Sequence, residues 1–225
     1  MTLSPTSRST IQRAKKRAVT DRAALHAVLD AGLVCHLGFL RENAPVVLPT
    51  GYGRDGDTLF LHGSSGAFSL RTAGQREEIC VTVTLLDGLV YARAVFHYSV
   101  NYRSAVIHGV PEVVNERDDK LHALRVVSEH LAPGSWDYSR EPTKQELAKT
   151  TVLALDLTEA AVKIRNGPPV DDDEDVEAGD RWAGVLPLHA QWGDPRPCTL
   201  LPDGVAIPEH VLGRASQPYA PVPEA

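Results

Sequence analysis

Three short stretches carry side chains that packing alone does not call for. TLFLHGSSGAFSLR runs from a strand-like segment through His62, Gly63, Ser64, Ser65 and Gly66 into a helix start. Free backbone N–H groups at such a start, two hydroxyls and small glycines together make a cradle for an anion. Arg71, further into the segment, adds positive charge. A plain N-cap at Ser64 or Ser65 also explains the serines, but not His62 and the two glycines with them. The second stretch, FHYSVNYRSAVIHG over 96–109, alternates as a strand does. Tyr102, Ser104, Val106 and His108 fall on one face, and Arg103, Ala105 and Ile107 on the other. Tyr102 and Ser104 can address one ligand, while Arg103 turns away toward solvent or a subunit contact. In the third, VKIRNGPP, Lys163 and Arg165 share a strand face opposite Ile164. They are either phosphate ligands at a closing barrel edge or charges that guard an exposed edge.

Standard catalytic signatures are missing: no GxGxxG, no Walker loop, no nucleophile elbow and no HExxH. The nine histidines include no i, i+4 metal pair. Cys35, Cys80 and Cys198 are widely spaced and odd in number, which suggests neither a zinc site nor a disulfide framework. Reduced thiols fit a cytoplasmic protein. A net charge of -6 gives no general attraction for nucleic acid or an anionic membrane. No apolar run has the length of a membrane span. The basic stretch IQRAKKRA reads as a solvated tail or as a flap over an anionic ligand.

The elements that must position these residues are mostly strands. Thr20 is an N-cap candidate for the helix TDRAALHAVLDAG. LVCHLGFL, APVVLPTGY and TLFLHG then follow as strands separated by turn-like segments. A helical turn is expected over 64–74. EICVTVTLL and GLVYARAVFH read as two strands joined by an Asp87-Gly88 hairpin. DDKLHALRVVSEHL has a helical apolar face that ends at Pro133-Gly134, and Thr143 with Glu146 forms a capping box. TVLALDLTEAAVKIRNG is a strand pair or one bent strand. DDDED reads as a solvated acidic loop, and RWAGVLPL as an apolar island in a Pro/Gly-rich tail. The boundaries give a flexible basic arm over 1–17, one folded domain over 18–207 and a disordered tail over 208–225. The fold class is mainly β with inserted helices, a barrel and not a doubly wound sheet.

VCHLGFLRENAPVVLPTGY, TLFLHGSS, GLVYARAVFHYSVNYRSAVIHG, KIRNGPP and RWAGVLPL, in this order over about Arg17 to Pro202, resemble the flavin-nucleotide-binding proteins. That family groups with the nitroimidazole-resistance reductases inside the pyridoxamine 5'-phosphate oxidase-like superfamily. The resemblance implies a split β-barrel homodimer that holds FMN between its subunits. It assigns His62, Gly63, Ser64, Ser65, Tyr102, Arg103 and Ser104 to the cofactor region, and Pro49, Thr50 and Tyr52 to the ring. Lys163, Arg165 and Trp182 lie near the groove, with Trp182 as a lid, and His62 is the candidate catalytic residue. The tail VLGRASQPYAPVPEA lacks the arginine-x-histidine segment that holds substrate phosphate in pyridoxamine phosphate oxidases.

The implied activity is an FMN-dependent reductase or oxidase of a small organic molecule, nitroreductase-like, with a nicotinamide as a possible donor. Two alternatives stand beside it. One is a flavin- or haem-binding protein without efficient turnover, with His62, His97 or His108 as axial ligand. The other is a deazaflavin-dependent reductase that uses the basic arm.

Overall fold

The computed structural model describes residues 2–3, 6–66 and 77–222. After a 3₁₀ turn at Lys15–Arg17 come β1 (Ala18–Val19), α1 (Arg22–Ala31), β2 (Val34–Arg41), β3 (Ala44–Asp55) and β4 (Thr58–Ser64). Next are β5 (Ile79–Tyr91), a 3₁₀ turn at Val95–His97, β6 (Ser99–Gly109) and β7 (Glu112–Val113). The helices α2 (Arg117–Leu131), α3 (Ser135–Tyr138) and α4 (Lys144–Ala148) lead to β8 (Thr150–Asp156) and β9 (Ala160–Arg165). The C-terminal part holds α5 (Asp173–Ala178), β10 (Gly184–Pro187), β11 (Ala190–Gln191), α6 (Glu209–Ala215) and β12 (Pro218–Tyr219).

The main sheet has the order β1-β9-β6-β5-β2-β3-β4-β8-β7, with β10 added to β5. Its pairs are antiparallel. β3 belongs to both halves: its first part pairs with β2, and residues 52–55 pair with β4. Alternation buries Cys35, Leu37, Val81, Val83, Ala105, Ile107 and Val162 with Leu25 and Leu29 of α1. α2 covers the other half, where Phe60, Ala123, Val127 and Val152 form a second cluster. Gly53 permits this seat, since a Cβ there would lie 2.8 Å from the backbone of Val126 and Val127.

Several expectations change. The chain does not turn back at Asp87-Gly88; β5 runs through it, with a bulge between Leu86 and Gly88. The reason is tertiary. β10 lies so close that a Cβ on Gly88 would come within 2.8 Å of Leu186 O, and the Asp87 carboxylate is held inward by Arg103. Asp21, not Thr20, caps α1, its carboxylate accepting from Ala23 N–H. The capping box at Thr143 and Glu146 is present. TVLALDLTEAAVKIRNG is two strands, β8 and β9. The acidic run forms α5, preceded by Asp171, which is buried against Arg93 with an N–O distance of 2.8 Å. The arm is anchored: Leu3 joins the core and Arg8 bridges Glu78 and Glu159. The tail past Pro208 forms α6 and β12, because β11 supplies a partner strand. Residues 67–74 of the expected helical turn, and Arg71 with them, lie outside the described residues.

Candidate functional site

The β6–β9 register decides which of the singled-out side chains meet. Tyr102 stands opposite Arg165 and Ser104 opposite Lys163. On the other side of β6, Tyr102 faces Leu86 and Ser104 faces Thr84. A row of three strands, β5, β6 and β9, therefore presents Thr84, Ser104 and Lys163 in one line and Leu86, Tyr102 and Arg165 in the next. All six are half-buried or exposed, while the intervening Asn101, Arg103 and Ala105 point inward and are buried. The same outer face continues through Thr82 and His36 to Pro49.

The cations on this face lack acidic partners among the described residues. Arg165 donates to the Asn101 side chain, to Gly167 O at 3.0 Å and to Pro168 O at 3.0 Å, all neutral. Burial and then the nearby charge of Arg17 lower the Arg165 pKa. Neither Lys163, Arg165 nor Arg17 forms a salt bridge among the described residues. Ser104 Oγ donates to Lys163 O at 3.2 Å, which ties the two strands together beside the charges. A positive field of this kind, with hydroxyls at hand, suits a phosphate. Arg17 and Asn101 are the members that motif reading missed as named site residues. The basic run was visible, but its place beside Arg165 depends on β1 pairing with β9.

Other expected site residues lie elsewhere. Arg103 is neither solvated nor at a surface. Its guanidinium is buried, donates to both Asp87 oxygens at 2.8–3.2 Å and to Ala220 O at 2.9 Å, and is spent on them. Tyr52 lies fully inside the core, its hydroxyl donating to Leu29 O at 2.5 Å and Gly32 O at 2.9 Å, so it lines no ring. Thr50 is half-buried, with its hydroxyl donating to Gly51 O. Trp182 is 69% exposed and packs against Tyr91, ring centroids 5.9 Å apart, at the far end of β5.

His62, Gly63 and Ser64 are not a loop before a helix. They finish β4, paired with Val152, Thr151 and Thr150 of β8. Ser65 N–H donates to Lys149 O, and Ser64 Oγ accepts from Gly66 N–H at 3.2 Å. Three strands of the sheet, β5, β2 and β3, separate β4 from β6. His62 lines a cavity of about 380 Å³ under α2, α3 and α4, walled by Leu124, Ser128, Trp136, Pro142 and Leu147. Its Nδ1 is buried without a hydrogen-bond partner among the described residues, and burial lowers its pKa.

A family model described as pyridoxamine 5'-phosphate oxidase matches residues 21–164. This chain belongs to the pyridoxamine 5'-phosphate oxidase-like flavin-binding family. Within that family it is similar to the flavocytochrome Anf3 from Azotobacter vinelandii, with 35% identity and a TM-score of 0.89 over 94% of this chain and 98% of that one. It is also similar to an FAD and haem binding protein from Mycobacterium smegmatis, with 37% identity and a TM-score of 0.85 over 88% of this chain and 97% of that one. A Bacteroides thetaiotaomicron protein assigned to 5-nitroimidazole antibiotic resistance shares the fold at 22% identity and a TM-score of 0.54, covering 65% of this chain and 86% of its own. No curated protein matches the chain. Family membership accounts for the antiparallel, mainly β architecture around the cationic face. Among the described residues, no helix is long and apolar enough to cross a membrane.

Proposed function

We propose that the protein is a flavin-dependent oxidoreductase that binds the mononucleotide part of its flavin against the outer face of β6 and β9. The observation that carries this reading is the pair of cross-strand contacts Tyr102–Arg165 and Ser104–Lys163, whose cations have no acidic partner among the described residues. Lys163 and Arg165 supply charge to a phosphate, and the Tyr102 and Ser104 hydroxyls supply neutral donors. Leu86 and Val106 give apolar ground on the same face. The bound flavin supplies the two-electron chemistry, so the chain needs no acid–base pair of its own. FMN and FAD share the phosphate and ring that this face would hold. A nicotinamide donor and a small organic acceptor, nitro compounds included, are the proposed reactants.

A second copy of the chain completes this reading. Val34, Leu40, Val47, Leu48, Leu86 and Leu89 are each 41–61% exposed, on strands beside the cationic face. Apolar surface of that extent calls for a cover, and a homodimer with the flavin at its seam provides one.

Haem binding beside the flavin is a second reading, supported by similarity to a flavocytochrome and to an FAD and haem binding protein over most of the chain. The uncommitted His62 imidazole fits such a group, because haem iron takes a histidine as proximal ligand.

The test is an absorbance spectrum of the purified full chain, followed by mass identification of what denaturation releases. Visible flavin bands, bleached by a nicotinamide without oxygen, are the expected outcome. A protein that stays colourless after incubation with excess FMN and FAD sinks the proposal.

A further inference from the structure

We infer that His62 is the axial ligand of a haem bound in the cavity under α2, α3 and α4, and that no second histidine, cysteine, methionine or tyrosine among the described residues lines it. This rests on the haem reading above and adds its residue, its place and its coordination state. Four other imidazoles are already engaged with the protein. His26 bonds Asp57 at 2.9 Å, His97 bonds Asp172 at 3.2 Å, His122 bonds Asp55 at 2.9 Å and His130 bonds Gly32 O at 2.7 Å. His62 makes no such bond, and Nδ1 is the one imidazole nitrogen among the described residues that is buried without a partner. A buried polar atom in that state is costly, and an external ligand in the adjoining cavity relieves the cost.

The cavity offers an apolar wall to a flat group. Leu124, Leu147, Pro142 and the Trp136 indole form that wall, while Ser128, Thr150 and an exposed Arg140–Glu146 ion pair complete the lining. Its volume of about 380 Å³ is within the range of small-molecule sites. Apart from His62, the lining among the described residues includes no histidine, cysteine, methionine or tyrosine. The position opposite His62 is therefore left to an exogenous ligand, which fits a binder or activator of small gases and not a closed electron carrier. Three strands also separate this cavity from the cationic face, so haem and flavin would occupy different sites on one chain.

Titration of the full chain with haemin tests this, using the wild type, His62→Ala and His62→Gly, with flavin content and thermal unfolding as folding controls. The wild type is expected to give a stoichiometric, high-spin ferric spectrum and a carbon monoxide complex when reduced. His62→Ala is expected to lose at least tenfold in haem affinity while keeping its flavin, and His62→Gly to regain the wild-type spectrum with added imidazole. An unaltered spectrum and affinity in a folded His62→Ala overturns the ligand assignment while leaving the haem reading intact. A wild type that takes up no haemin overturns both. If the variants do not fold, resonance Raman of the reduced wild type decides: an iron–histidine stretch supports the assignment of a histidine ligand, and its absence, or a six-coordinate signature without added ligand, overturns the proposal.

Discussion

Arg103 and Asp87 form a buried ion pair across the β5–β6 ladder, each 6–7% exposed, with Arg103 Nη2 2.8 Å from Asp87 Oδ1. The same guanidinium holds Ala220 O at 2.9 Å, so one side chain ties the β5 bulge to the C-terminal segment.

Arg103→Ala leaves Asp87 buried with no cation. Breaking a buried pair from one side costs about 3–5 kcal/mol. The variant is expected to unfold at a much lower denaturant concentration, with flavin affinity of the remaining folded protein within about twofold of wild type. A loss of flavin binding without a loss of stability would instead make Arg103 a cofactor ligand.

Lys163→Ala and Arg165→Ala are expected to do the reverse. Each removes a charge from the proposed phosphate site, and a hydrogen bond to a charged group contributes about 1.5–3 kcal/mol. Flavin affinity should fall roughly tenfold or more for each variant, measured by fluorescence quenching, with unfolding midpoints little changed. Binding to the wild type should also weaken with added salt.

The arm gives a pH prediction. Bonding to Arg8 first, and to Thr6 next, holds the Glu159 pKa down to about 2, from an ordinary 4.5. Arg8 lowers the Glu78 pKa as well. A depressed carboxylate pKa contributes stability that is complete above its unfolded value and fades as pH falls through the folded one. The stability difference between wild type and Arg8→Ala should therefore be constant above about pH 5 and shrink between about 4.5 and 2. Unfolding curves across that range check it. A difference that grows toward low pH contradicts the clamp.

Thiol chemistry should divide by burial. Cys35 is buried, and desolvation pushes its pKa up to about 12, whereas Cys198 is exposed. A disulfide reagent at pH 8 should label Cys198 quickly and leave Cys35 unreacted until the chain unfolds. Mass spectrometry of the labelled peptides settles the order, and fast labelling of Cys35 in the native protein counts against its place in the core.

What the sequence by itself determined was local. Period-two alternation separated Tyr102 and Ser104 from Arg103, and put Lys163 and Arg165 on one face of their strand. Helix signals located α2 and the capping box before α4, because caps and apolar periodicity act within a few residues. Alternation is silent on which face turns inward, and a one-residue slip reverses every side chain. Only pairing between distant strands resolved that. It brought Lys163 to Ser104 across 59 residues, drew Arg103 to Asp87 inside and carried Tyr52 into the core. The Asp87-Gly88 turn failed for the same reason: a local preference for reversal gave way to β10 and a buried arginine. His62 looked like part of a phosphate loop beside its serines, yet pairing with β8 extends the strand through it and leaves its imidazole, with Nδ1 unpartnered among the described residues, facing a cavity instead. Such contacts join residues far apart in the chain, and no short window of sequence contains both ends of them.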